Sequence, residues 1–261
     1  MEVVITQGPA DAAVVAADAI ERLLQSTPQP VLGLSTGSSP LPTYRELIDR
    51  HERGAISFAE VRAFLLDEYV GLDPSHPEAY RSFIEREFTS HIDLPPSALF
   101  GPDGNSVDPQ AAPQIYEQQI DEAGGVDLQL LGIGTDGHIG FNEPTSSLGS
   151  RTRMKTLTDA TRVDNARFFQ NDVEAVPRHV LTQGIGTILQ ARHVILVATG
   201  ELKAAPIAQA VEGPLTAMVP ASALQLHPHA TIVIDEPAAK HLTLAPYYRA
   251  AYDNKPDWQH I

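Results

Sequence analysis

Short runs of Val, Ile and Leu alternate along this chain with longer stretches of helical periodicity, and that alternation leaves few folds open. Strand-like runs fall at residues 3–6, 31–35, 61–66, 129–133, 193–199 and 231–234, and helical patterns at 9–25, 41–51, 78–88, 109–123 and 202–211. Within 9–25, Ala13, Ala16, Ala17, Ile20, Leu23 and Leu24 form a helical stripe. Strands alternating with helices predict an α/β fold, a mostly parallel sheet covered on both faces. Strands of Val, Ile and Leu without clean alternation fit that double burial. No long Pro/Gly/Ser linker divides the 261 residues, so a single domain spanning 1–261 is expected. Residues 143–178 are the least regular and could hold an inserted lid or a subunit contact.

Apolar residues make up 43% of the chain, ample for a core. No apolar run approaches the roughly 18 residues of a membrane span. The start, Met1-Glu2-Val3-Val4-Ile5, lacks a basic n-region. There is no cysteine, hence no disulfide framework and no thiol chemistry. Together these point to a cytoplasmic protein without a membrane partner. A formal charge of -15 argues against nucleic-acid binding, which needs a positive footprint. Locally, residues 151–167 carry five basic residues (Arg151, Arg153, Lys155, Arg162, Arg167) against two acidic ones, Asp159 and Asp164. That run is either a solvated face or an anion site, since Arg suits fork-like phosphate contacts.

Three strand ends carry chemistry. Leu32-Gly33-Leu34-Ser35-Thr36-Gly37-Ser38-Ser39-Pro40 ends a strand in a Gly/Ser/Thr turn, and Pro40 can open a helix. Such a turn can cradle a phosphate on its N–H groups, though it lacks the Gly-Lys-Ser/Thr ending of a Walker loop, and an ordinary βα turn reads the same way. Leu65-Leu66-Asp67-Glu68-Tyr69 puts two acids after a strand, where open α/β sheets bind ligands, and a carboxylate there can act as general base or merely as a cap. Gly132-Ile133-Gly134-Thr135-Asp136-Gly137-His138-Ile139-Gly140-Phe141-Asn142-Glu143-Pro144 has four glycines in its first nine residues and three proton-moving side chains. Its G-x-G-x-x-G spacing would suit a dinucleotide only if a helix began there, and Pro144 and the mid-chain position argue otherwise. Asp136, His138 and Glu143 could ligate a metal, but the spacing matches no standard metal pattern. A His between two carboxylates in a glycine loop reads better as an acid/base group. Lys203 and Arg167 could each hold a phosphate or be plain surface charges.

These segments, taken in order with Ser-Arg-Thr-Arg-Met-Lys-Thr-Leu-Thr (150–158), Val-Glu-Gly-Pro (211–214) and Leu-Gln-Leu-His-Pro-His-Ala (224–230), closely resemble the glucosamine-6-phosphate deaminase family over nearly the whole chain. The resemblance implies a Rossmann-like α/β fold and conversion of D-glucosamine 6-phosphate and water to D-fructose 6-phosphate and ammonia, in amino sugar catabolism, with no metal and no nucleotide cofactor. It implies that His138 opens the pyranose ring, that Asp136 and Glu143 orient and tune it, and that Asp67 moves the C2 proton to C1. Thr36, Gly37, Ser38, Ser39, Arg167 and Lys203 become the phosphate-binding set, and a segment of about 157–180 a mobile lid. Longer family members are hexamers activated by N-acetylglucosamine 6-phosphate, and their effector site maps onto Ser146, Ser147, Arg153, Lys155 and Thr156. Arg249 departs from that pattern, standing where allosteric members have an aromatic residue. The competing enzyme reading is a 6-phosphogluconolactonase-type phosphosugar hydrolase, which would need no C2 base. A phosphosugar-sensing binding protein with a dead site would lack a catalytic carboxylate or carry a DNA-binding helix-turn-helix, and neither is evident.

Overall fold

A computed structural model describes residues 1–256 and 258–261. In chain order the elements are β1 (Glu2–Thr6), α1 (Pro9–Ser26), β2 (Val31–Leu34), α2 (Leu41–Glu52), β3 (Arg62–Leu65), β4 (Asp67–Tyr69), α3 (Tyr80–Glu87), β5 (Leu99–Phe100), α4 (Ala112–Glu122), β6 (Leu128–Leu131), β7 (Arg153–Thr156), α5 (Asp159–Asn165), β8 (His179–Thr182), α6 (Ile185–Ile188), β9 (His193–Ala198), α7 (Ala204–Val211), β10 (Ala230–Asp235) and α8 (Ala245–Asp253). Seven strands form one sheet in the order β1-β10-β9-β6-β2-β3-β5, every neighbouring pair parallel. The mostly parallel sheet expected from the alternation is therefore present. A second sheet, β4-β8-β7, is antiparallel, and it was not expected.

The central strands bury both faces, and their side chains sort by alternation. On β9, Ile195 and Val197 join a core with Ala12, Ala16, Ala17 and Ile20 of α1 and Tyr44 and Leu47 of α2. Val194, Leu196 and Ala198 join the opposite core with Tyr116 and Ile120 of α4 and Ile207 and Ala210 of α7. The alanine-rich stripe of α1 lets that helix lie close to the sheet, and Pro9 opens it at a position that needs no N–H donor. Buried Arg50 ties α2 to α1 through Asp18 and Glu21, both at 2.7 Å, and to Glu46 at 2.8 Å.

Sheet order also says where a ligand belongs. From β2 the chain proceeds outward to β3, whereas from β6 it proceeds the other way to β9 and β10. The switch point lies between β2 and β6, and open α/β sheets bind ligands beyond the carboxyl ends of strands at such a point. Two surface cavities of about 350 and 530 Å³ lie at the amino ends instead, and contain none of the expected site residues.

The amino edge of the sheet carries a stacked histidine pair. His193 is buried, its Nε2 2.9 Å from Thr231 Oγ1, and its ring lies 3.6 Å from that of His229. Burial, with His229 and His227 adding, pushes the His193 imidazole from 6.5 down to about 3. The unfolded imidazole takes its proton near 6.5, so below that pH the unfolded chain binds more protons and stability falls. The contribution is complete above 6.5 and is lost progressively toward 3. Between pH 7 and pH 5 His193 alone is expected to cost about 2 kcal/mol. Urea unfolding at the two pH values checks this: the loss should shrink in His193→Gln, and an equal loss in both proteins would refute it.

Candidate active site

Four loops leave carboxyl ends of the parallel strands near the switch point, and each brings side chains the sequence marked out. After β2, residues 35–40 turn at Gly37, whose φ of 94° suits glycine, and Pro40 caps α2. Among the described residues, the backbone N–H groups of Thr36, Gly37, Ser38 and Ser39 have no acceptor, and Ser38 is exposed. Those free donors and the start of α2 make an anion-accepting turn. After β6, Gly132 abuts this turn: a Cβ there would lie 3.5 Å from Ser39 Cβ. After β9, Lys203 closes a short 3-10 turn and donates from Nζ to the Ile133 carbonyl at 2.6 Å. Burial pulls the Lys203 ammonium below its ordinary range, with the nearby Arg167 charge adding and Asp136 opposing. The β6 loop thus lies against the β2 turn at Gly132 and is bonded to Lys203 at Ile133, and Arg167 lies within electrostatic reach of Lys203.

The 132–144 loop folds back on itself. Gly134 N–H donates to the His138 carbonyl at 2.9 Å and His138 N–H to Asp136 Oδ1 at 3.1 Å. His138 Nδ1 lies 2.7 Å from Asp136 Oδ1 and 3.7 Å from Glu143 Oε2. The Asp136 oxygen is off the ring N–H axis, so Nδ1 has a close carboxylate but no directed hydrogen bond. Asp136 is half exposed, and burial would raise its carboxyl, but the adjoining His138 ring outweighs this and holds it well below the usual range. Glu143 is buried and shifts the opposite way: burial, then its contact with Asp136, pushes it up despite a hydrogen bond from Thr161. Two carboxyls driven apart beside one imidazole form a proton-holding unit. The three ligand atoms also lie within 4.8 Å of one another, one nitrogen and two oxygens, a set with room for a divalent ion.

Asp67 belongs to the second sheet. It follows β3 after one residue and opens β4, paired with Thr182 of β8. Thr182 Oγ1 accepts from Phe141 N–H at 3.1 Å, and Asn142 Nδ2 donates to the Gln183 carbonyl at 2.9 Å. Gln183 N–H donates to the Leu66 carbonyl at 2.9 Å. The small antiparallel sheet is therefore the brace that holds Asp67 and the 132–144 loop in fixed relation. Among the described residues nothing donates to the Asp67 carboxyl, and burial, with the Glu68 charge adding, pushes it well above the ordinary carboxylate range. Glu68 points to the other face of β4 and accepts from the N–H groups of Tyr69, Tyr80 and Arg81 at 2.8 to 3.0 Å. The two neighbouring acids have different occupations: Glu68 fastens α3, and Asp67 is left free to exchange a proton.

The basic run 151–167 is no single patch. Arg151 pairs with Glu117, and Arg162 is buried, donating to the Val173 and Val176 carbonyls at 2.6 and 3.3 Å. Arg167 is exposed, its guanidinium 4.7 Å over the Phe168 ring. Ser146 is buried with an unpartnered hydroxyl and Ser147 is exposed, both in the turn after Pro144, whereas Arg153, Lys155 and Thr156 lie on β7. Residues 157–180 cap the site side of the small sheet through a third core of Tyr69, Phe141, Leu157, Ala166, Phe169, Val176 and Val180. Sequence reading missed Tyr69, Tyr80, Thr161, Asn165, Thr182 and Gln183 as site neighbours. The spacing Thr158-x-x-Thr161, a helix cap closed by the Thr161 N–H, was the one local signal available.

Fold and site together define an α/β acid–base enzyme. Residues 9–233 match the family model described as glucosamine-6-phosphate isomerases/6-phosphogluconolactonase. Glucosamine-6-phosphate deaminases from Beutenbergia cavernae and Streptomyces coelicolor are 60% and 57% identical, over 99% and 100% of both chains. A solved monomeric glucosamine-6-phosphate deaminase superposes with a TM-score of 0.89 at 41% identity, covering 92% of this chain and all of that one. A 6-phosphogluconolactonase from Trypanosoma cruzi superposes at 0.72 with 21% identity, covering 93% of this chain and 97% of that one, a likeness of fold alone. The chain belongs to the glucosamine-6-phosphate deaminase family.

Proposed function

We propose that this protein converts D-glucosamine 6-phosphate and water to D-fructose 6-phosphate and ammonia, in amino sugar catabolism. The observation that carries the reading is the presence of two separate acid/base units on one brace: the Asp136–His138–Glu143 group and the free, buried Asp67. An aldose-to-ketose shift needs both. His138 moves a proton between the ring oxygen and the anomeric hydroxyl, with Asp136 and Glu143 holding the imidazole. Asp67 removes the C2 proton from the open-chain sugar, leaving a cis-enolamine, and returns it to C1. The resulting C2 imine takes up water and releases ammonia. A lactonase needs no C2 base, and a free Asp67 therefore favours deamination. Thr36, Gly37, Ser38, Ser39, Arg167 and Lys203 hold the phosphate, and residues 157–180 act as a lid.

The effector site at Ser146, Ser147, Arg153, Lys155 and Thr156, with N-acetylglucosamine 6-phosphate as activator and a hexamer as assembly, is part of the proposal from the family resemblance. The monomeric solved relative is a direct alternative. Sedimentation decides between them: a single species at six chain masses supports the hexamer, one at 28.2 kDa overturns it. A cytoplasmic site of action agrees with the finding that no helix among the described residues is long and apolar enough to cross a membrane.

An ammonia assay with glucosamine 6-phosphate tests the whole reading. Purified protein should release ammonia at the same rate with or without a chelator. Binding of the phosphosugar without ammonia release, with effector present or absent, would overturn the deaminase reading. Loss of activity in EDTA, restored by a divalent ion, would make Asp136, His138 and Glu143 a metal site instead. Stimulation by N-acetylglucosamine 6-phosphate supports the effector site, and an unchanged rate at all substrate concentrations removes it.

A further inference from the structure

Helix α5 is short, and its inner face touches Glu143 of one acid/base unit and Tyr69 on the strand that carries the other. Thr161 and Asn165 are four residues apart, so they project from the same side of the helix. Thr161 Oγ1 donates to Glu143 Oε1 at 2.5 Å, and Thr158 Oγ1, 2.9 Å from Thr161 Oγ1, completes a chain of hydroxyls ending on that carboxyl. Asn165 Nδ2 donates to the Tyr69 hydroxyl at 2.9 Å. Tyr69 stands two residues beyond Asp67 on β4, and alternate residues of a strand share a face. Its hydroxyl is also 3.4 Å from that of Tyr80. Burial, with the Asp67 and Glu68 charges adding, pushes the Tyr69 hydroxyl up to about 12, so it stays a neutral group within the field of the base. Arg167 follows Asn165 by two residues. One turn and a half of chain thus touches the ring-opening unit at Glu143 and the strand of the C2 base at Tyr69, and runs on to Arg167.

We propose that α5 is a positioning element of the reaction, with Thr161 orienting the Glu143 carboxyl toward His138 and Asn165 fixing Tyr69 on the Asp67 face of β4. The inference rests on the deamination reading and deepens it: the segment that covers the site also sets the geometry of both proton-transfer units. The chemistry of the pair explains the residue types. A threonine hydroxyl can donate to Glu143 without carrying a charge that would compete with His138. An asparagine amide can donate to a phenol oxygen that lies near two carboxylates, where a carboxylate in its place would repel them.

The test separates positioning from mere lid packing. Thr161→Val keeps shape and loses the hydroxyl, and it should lower kcat about 10-fold with KM within twofold, the pattern of a contact that matters in the transition state. Thr161→Ser should restore most of the rate. With substrate deuterated at C2, the isotope effect on kcat/KM should fall in Thr161→Val, because ring opening becomes the slower step, and should not fall in Asn165→Leu, which acts beside the C2 base. A raised KM with unchanged kcat, or a serine variant as impaired as the valine one, would overturn the inference and leave α5 a packing element. The parent protein keeps the two readings apart. A parent that releases no ammonia defeats the deamination reading, whereas an active parent with indifferent Thr161 and Asn165 variants defeats only the role of α5.

Discussion

Asp67→Asn is expected to release ammonia from glucosamine 6-phosphate on the order of 10³-fold more slowly than the parent, near the middle of the range for loss of a positioned general base. An amide cannot accept the C2 proton, and the adjacent carboxylate cannot take over. Glu68, its neighbour, already accepts three backbone N–H groups on the far face of β4. The substitution is nearly isosteric, and nothing among the described residues donates to the Asp67 carboxyl, so no hydrogen-bond partner is stranded. Burial and the Glu68 charge raise the Asp67 carboxyl well above 3.8, which means that its ionised form is disfavoured by the folded protein. The sign follows: above the unfolded value, the charged Asp67 lowers stability, and its replacement by a neutral amide should leave the melting temperature unchanged or higher. The same raised value places the acid limb of the parent's activity above the ordinary carboxylate range, with activity rising as Asp67 loses its proton. Initial rates, thermal melting and titration with sorbitol 6-phosphate, which cannot react, read the three consequences. Substantial residual activity in the variant would remove Asp67 as base, and loss of binding as well as rate would make its role structural.

Six of the seven strands of the large sheet were legible because each is four to six residues of largely apolar character, most of them buried on both faces, whereas the two-residue edge strand β5 is too short to show a pattern. Helices α1, α2, α3, α4 and α7 announced themselves by period, as the alanine stripe of α1 does, whereas the four-residue α6 is too short for a period to show. The small sheet did not. Its strands are Asp-Glu-Tyr, Arg-Met-Lys-Thr and His-Val-Leu-Thr, three or four residues each, the first two rich in charge. Acids are poor strand formers, and only the pairing across β8 makes Asp67–Tyr69 a strand at all. Helix α5 was hidden for a related reason. Its one fully buried side chain is Arg162, whose apolar stem lies inside while its guanidinium reaches backbone carbonyls, and a period search counts arginine as polar. The site residues were legible as types on loops, since glycine, acid and histidine together leave few alternatives. How Asp67 relates to the 132–144 loop was not, because the link runs through Thr182 and Gln183, more than a hundred residues from Asp67 and about forty from the loop.

Gly134→Ala should cut the rate of ammonia release about 100-fold while leaving the protein folded, the penalty of moving a catalytic group by about an ångström. The methyl would arrive 2.2 Å from His138 Cε1 and 2.3 Å from Nδ1, far inside contact distance. Gly134 does not require a positive φ, so its backbone accepts alanine and the whole conflict falls on the imidazole. That ring can give way, because about a quarter of the His138 side chain is exposed (28%) and it can swing outward without opening a core. Swinging outward carries Nδ1 away from Asp136 and Glu143, and with it the group proposed to transfer the proton to the ring oxygen. Two consequences separate this from general damage. Thermal stability should stay close to the parent's, since no buried apolar contact is lost. With C2-deuterated substrate the isotope effect should collapse toward unity, because a slower ring opening hides the later C2 step. A Gly134→Ala protein that melts as the parent does and keeps its rate within twofold would show that His138 does not depend on its place between the two carboxyls, and the ring-opening role would have to pass to another group.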